Sequence, residues 1–123
     1  MPELLHAIPV LAARDVPADV AFWVNTLGFG LLFSVDGFAG VARDGVQLYI
    51  SAVDDQAVAD GTQAWIGVAD LDGLHAEWTV GVPGSFADPS GPAMTEISDR
   101  PWGREFAVRD RAGNCVHFID GAQ

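Results

Sequence analysis

The chain has a single cysteine, Cys115, in 123 residues, so no disulfide can form within it. A lone thiol fits a reducing compartment, and a cytoplasmic protein is expected. Positive charge is scarce too: 6 Lys+Arg stand against 17 Asp+Glu, for a net charge of −11. A phosphate backbone is held mainly by cations, which argues against nucleic acid as a partner. The acidic excess would attract a cationic ligand, although on charge alone plain solubility is the preferred reason for it. The N-terminus, MPELLHAIPVLAARD, lacks a basic region followed by a long apolar run, so no signal peptide is expected. No stretch is long enough to cross a bilayer. What the chain does hold is apolar residues, 50% of the total, in a length suited to one domain.

The order of elements reads as two similar halves. In the first, LLHAIPVL (4–11) is apolar enough for a buried strand, and Pro9 marks an edge, a bend or a chain crossing. Asp15 and Pro17 suit a helix start, and Val16, Val20, Trp23 and Leu27 recur on one helical face before Gly28. Three strands are predicted next, over 29–35, 38–43 and 46–53, split by Asp36-Gly37 and Asp44-Gly45 hairpins. The polar stretch 54–62 reads as a connection. The second half repeats the order: a strand at 63–69, a short helix carrying Leu71, Leu74 and Trp78, a loop to about 92, then PAMTEIS, REFAVRD and NCVHFI as strands. The expected fold is therefore α+β, with two β-α-β-β-β modules (about 3–54 and 62–120) in one domain over 1–123. A curved sheet covered on one face by its helix leaves the other face for a partner or ligand. Paired modules of this kind resemble the vicinal oxygen chelate superfamily, which includes glyoxalases, extradiol dioxygenases and antibiotic-resistance proteins.

In metalloenzymes of that superfamily, ligands come from the first and last strands of each module. His6 resembles the first-strand ligand, and His117 falls where a glutamate usually sits. The two remaining places fall near Ser51 and Gln63, which are not usual ligands for zinc, iron or nickel. Two histidines without a carboxylate leave the set incomplete, and hydrogen-bonded polar residues lining or flanking a cleft are the preferred account of them. A metal-dependent enzyme of glyoxalase or dioxygenase type, using His6 and His117, is the alternative function. His75, mid-helix beside Glu77, reads as a solvated surface residue. Cys115 shares a strand face with His117, where a thiolate is conceivable and a small buried residue is the plainer assignment.

Within the superfamily the chain is similar to the bleomycin resistance (bleomycin-binding) proteins. The segments that carry the resemblance are IPVLAARDVPADVAFWVNTLGF, GFAGVARDGVQLYISAV, SGPAMTEI, PWGREFAVRD and AGNCVHF, nearly the whole chain. The resemblance implies a homodimer that sequesters a bleomycin-type glycopeptide (bleomycin, phleomycin, tallysomycin or zorbamycin) without modifying it. It implies no catalytic residues, no membrane, and no cofactor beyond copper or iron carried by the drug. The N-terminal strand would cross to the partner subunit, with Pro9 as hinge. Trp102 and Phe38 match a pair of rings that sandwich the drug's flat bithiazole, one from each subunit. Stacking of this kind needs no specific hydrogen bonds; core packing is the other role open to Phe38. The resemblance adds Phe33 and Phe106 as ring contacts. Ser51, Gln63 and Trp65 would line the cleft by strand alternation, and Asp60 resembles a ligand contact in the VADGT loop. Gly113 permits close ligand approach beside Cys115, or simply a hairpin turn with Asn114. His6 stands where the family is expected to carry a small residue.

Overall fold

Asp15 opens the first helix as a side-chain cap, accepting the Ala18 N–H at 3.1 Å. In the computed structural model, which describes residues 1–121, this helix is α1 (Val16–Ala21) and continues as a wider π-helical turn (Phe22–Thr26). The apolar face buries Val16, Trp23 and Leu27, and Gly28, at φ +79°, turns the chain out of the helix. Strands β2 (Gly30–Val35), β3 (Phe38–Arg43) and β4 (Val46–Ala52) follow as an antiparallel meander. In the second turn Asp44 and Gly45 both take positive φ, 52° and 82°, the backbone an Asp-Gly hairpin calls for. Strand β1 (Val10–Ala13) adds in parallel to β4, giving the order β1-β4-β3-β2.

The second sheet repeats this arrangement. Its strands are β5 (Gln63–Val68), β6 (Ala93–Met94), β7 (Ser98–Arg100), β8 (Gly103–Arg109) and β9 (Cys115–Asp120). The order is β5-β9-β8-β6, with β7 also on β8, and β5 runs parallel to β9. Each module thus sets its first strand beside its last. The helix between β5 and β6 (Leu71–Thr79) follows a shorter one, Gln56–Asp60; these are α3 and α2. The inner faces of both sheets and the helices share one apolar core that includes Leu11, Trp23, Ile50, Trp78, Phe106 and Phe118.

Three boundaries differ from the sequence reading. The first strand begins at Val10 rather than residue 4, so Leu4, Leu5 and His6 precede the sheet and are exposed. The stretch 54–62 holds α2, capped by the Asp55 side chain on the Ala57 N–H at 2.9 Å. PAMTEIS breaks into β6 and the start of β7, a strand that reaches Arg100 inside what read as loop. The short strands β1, β6 and β7 are set by tertiary pairing, which local propensity cannot supply.

A buried polar cluster ties the modules together. Asn114 acts as a substitute peptide group: its Oδ1 accepts the Ala12 N–H at 3.0 Å and its Nδ2 donates to the Ala12 carbonyl at 2.8 Å. Asp110 accepts the N–H groups of Ala112, Gly113 and Asn114 on one oxygen, and Trp23 Nε1 and Asn114 Nδ2 on the other. Asp19 lies alongside, accepting the Ala112 N–H at 3.1 Å, with its Oδ2 buried and without a hydrogen-bond partner. Burial first, and then the Asp110 charge, push the Asp19 carboxyl up to about 9, so it is protonated at neutral pH. A second tie is Arg43, which donates to both carboxylate oxygens of Glu77 at 2.8 and 2.9 Å and to the Leu27 carbonyl at 2.8 Å.

Candidate ligand-binding groove

Strand alternation sends one set of side chains into the core and the other to the open face of each sheet. On the first sheet the pairs Phe38–Ser51 and Gly40–Tyr49 share the open face, with Phe33 from β2 across from Gly40. The rings of Phe33, Phe38 and Tyr49 meet mutually, with centroids 5.3 to 5.6 Å apart. Gly40 makes room for this cluster, because a Cβ built there would lie 2.4 Å from Phe33 Cε2. A half-buried aromatic patch with Ser51 at its border is the result.

On the second sheet the open face carries Gln63 and Trp65 from β5, Cys115 and His117 from β9, and Glu105 from β8. Trp65 is 49% exposed and stacks on His117 at 4.1 Å with an interplanar angle of 4°. Its Nε1 donates to Glu105 Oε2 at 3.0 Å. His117 Nε2 lies 2.9 Å from Gln63 Oε1 and 3.5 Å from Cys115 Sγ. Burial pushes the Cys115 thiol up, which disfavours the thiolate that a nucleophile would need.

Trp102 stands at the tip of the β7–β8 hairpin, 56% exposed, in a two-residue turn with Pro101. This turn joins β7 to β8 in the second sheet, while Phe38 opens β3 in the first. Gly113, at φ +111°, lies against Asp60, whose Oδ1 would be 2.6 Å from a Cβ there. Asp60 sits at the end of α2 rather than in a loop, and accepts from Gln56 Nε2 at 2.9 Å.

Two expectations are corrected. Phe106 does not face the groove: it is 1% exposed and packs in the core against Trp78, Phe118 and His75. The alternation in REFAVRD carries this, since Phe106 and Val108 share the core face while Glu105 and Ala107 share the other. His75 is not a solvated residue, for its Nε2 reaches the Thr95 carbonyl at 3.0 Å and its ring meets Phe106 edge-on. Glu105, which the sequence reading passed over, is the buried carboxylate of the groove at 4% exposure. His6 lies in the exposed segment ahead of β1, and His117 is engaged by Gln63. Among the described residues no three His, Cys, Asp or Glu side chains are grouped to hold a metal ion. A cavity of about 600 Å³ lies away from these rings, on the helix side between the modules, lined by Arg43, Glu77 and Trp78.

The modules, their parallel first-to-last pairing and an aromatic open face define a chain of the glyoxalase, or vicinal oxygen chelate, fold. No protein-family model matches it. Among solved structures it is similar to the bleomycin-binding protein from bleomycin-producing Streptomyces verticillus, complexed with copper(II)-bleomycin, at 57% identity and a TM-score of 0.95 over 98% of this chain and 99% of that one. The chain belongs to the bleomycin-binding, or bleomycin resistance, protein family. A bleomycin resistance protein of Geobacillus stearothermophilus is 27% identical over 94% of this chain and 96% of its own. The bleomycin resistance determinant encoded on the transposon Tn5 shares the fold, with a TM-score of 0.84 at 22% identity, over 98% of this chain and all of that one.

Proposed function

We propose that this chain binds and sequesters a bleomycin-family glycopeptide stoichiometrically at a homodimer interface, conferring resistance without modifying the drug. What carries the reading is the open-face aromatic set, half-buried Phe33, Phe38 and Tyr49 with exposed Trp65 and Trp102, in a chain 57% identical to a protein solved with copper(II)-bleomycin. The flat bithiazole stacks between Trp102 of one subunit and Phe38 of the other, and Ser51, Gln63 and Trp65 meet the polar head. Asp60, Gly113 and Cys115 border the same groove, and negative charge there favours the drug's cationic tail. Phe33 belongs to this site as the ring backing Phe38.

The segment before Pro9 supports strand exchange. Leu4 and Leu5 are exposed ahead of the sheet, and burying them against a second copy removes apolar surface from water. The protein acts in the cytoplasm, where no covalent step is asked of it. Any copper or iron arrives with the drug.

Titration with bleomycin, with and without copper, followed by tryptophan fluorescence, tests this. Strong quenching that saturates at one drug per chain is expected, with the drug recovered unchanged. An unchanged signal at saturating drug, or a chemically altered product, would overturn it. Metal bound stoichiometrically to the drug-free protein would favour the enzyme alternative instead.

A further inference from the structure

Trp65 presents a puzzle of cost. An indole kept only for stability belongs in the core, yet this one is half exposed and held by a desolvated carboxylate. Glu105 Oε2 takes the Trp65 Nε1–H at 3.0 Å. Its Oε1 faces His117 Nδ1 at 3.6 Å and Arg100 Nε at 3.9 Å. His117 in turn is fixed by Gln63 at 2.9 Å, and its ring covers one face of the indole. The N–H edge and one face of the indole are thereby occupied, which leaves the opposite face as the one open to a ligand.

We propose that Glu105 and His117 are positioning residues that hold Trp65 as a fixed stacking face for a planar heteroaromatic ring of the ligand. This rests on the reading of the groove as a drug site, and it adds a second ring platform separate from the Phe38–Trp102 pair. Glu105 sets the rotation of the indole through its N–H, and His117 sets its height above the sheet. Neither touches the ligand. Their effect is to remove the freedom that an exposed side chain would otherwise lose on binding.

The test has two arms. The Trp65 indole signal in a ¹H–¹⁵N correlation spectrum, assigned through Trp65→Phe, needs no drug. Glu105→Gln keeps the shape and removes the charged acceptor, so that signal should move upfield and its hydrogen exchange quicken, with the Trp23 and Trp78 signals unmoved. In the second arm, Glu105→Gln and His117→Ala should each weaken copper-bleomycin binding roughly tenfold. In a Trp65→Ala background neither should have a further effect. An unmoved Trp65 signal in Glu105→Gln, or equal losses with and without Trp65, overturns the proposal. If the wild type itself fails to bind, the drug-site reading falls, while the indole signal still decides whether Glu105 holds Trp65.

Discussion

Gly40 is a glycine because Phe33 occupies the place of its side chain. A methyl there would meet the ring at 2.4 Å and drive it off Phe38 and Tyr49. Gly40→Ala is therefore expected to cost roughly 1–3 kcal/mol of stability by overpacking and to weaken drug binding as well. Urea unfolding and titration of the same sample check both. Trp102 should separate these effects. Trp102→Ala is expected to weaken binding by roughly 1–3 kcal/mol, as for loss of an aromatic anchor, while the urea midpoint hardly moves. Unaltered affinity would make Trp102 structural. Single residues were legible in the sequence where local chemistry identified them, as with Asp15 and the Asp44-Gly45 turn. Phe106 shows the limit: an aromatic residue in a resembling segment reads as a ligand contact until its strand face is counted against Glu105.

Elements held by turns were legible, and elements held by distant partners were not. The β2–β3–β4 meander follows from two Asp-Gly pairs, and α1 from its cap and apolar spacing. Strand β1 is set by pairing with β4 and by the Asn114 side chain, 102 residues away in sequence, so its start could not be read locally. Nothing in LLHAIPVL announces that only its last two residues enter the sheet. Asn114→Ala strips the Ala12 peptide of both side-chain bonds in a buried place. It is expected to cost about 1–3 kcal/mol for the unmade bonds. Amide exchange should quicken in β1 and the 110–114 turn before the rest of the second sheet. Uniform loosening of the whole chain would mean the clamp is not local.

At the scale of the molecule, Asp19 gives folding a distinctive pH dependence. Its carboxyl sits near 9 in the folded chain against 3.8 ordinarily, so the folded state keeps a proton that the unfolded state releases. Stability from this group is fullest below about pH 4 and is lost as pH rises toward about 9. Asp72, Glu77 and Asp88, held below the usual carboxylate range, act oppositely and lose their contribution only as the solution becomes strongly acidic. Urea midpoints should fall between about pH 5 and about pH 8. Asp19→Asn, which keeps the shape and cannot ionise, should flatten that slope; an unchanged slope would place the proton elsewhere.

The four tryptophans divide by depth. Trp23 and Trp78 are 0% and 1% exposed, whereas Trp65 and Trp102 stand on the open surface. The chain therefore carries two optical channels. Its buried indoles are expected to emit at shorter wavelength and to shift to the red when the fold opens. Its outer indoles emit further to the red and are the ones that neutral acrylamide can reach. Acrylamide quenching and the position of the emission maximum should therefore report on the surface indoles and the interior indoles respectively, with no dye attached.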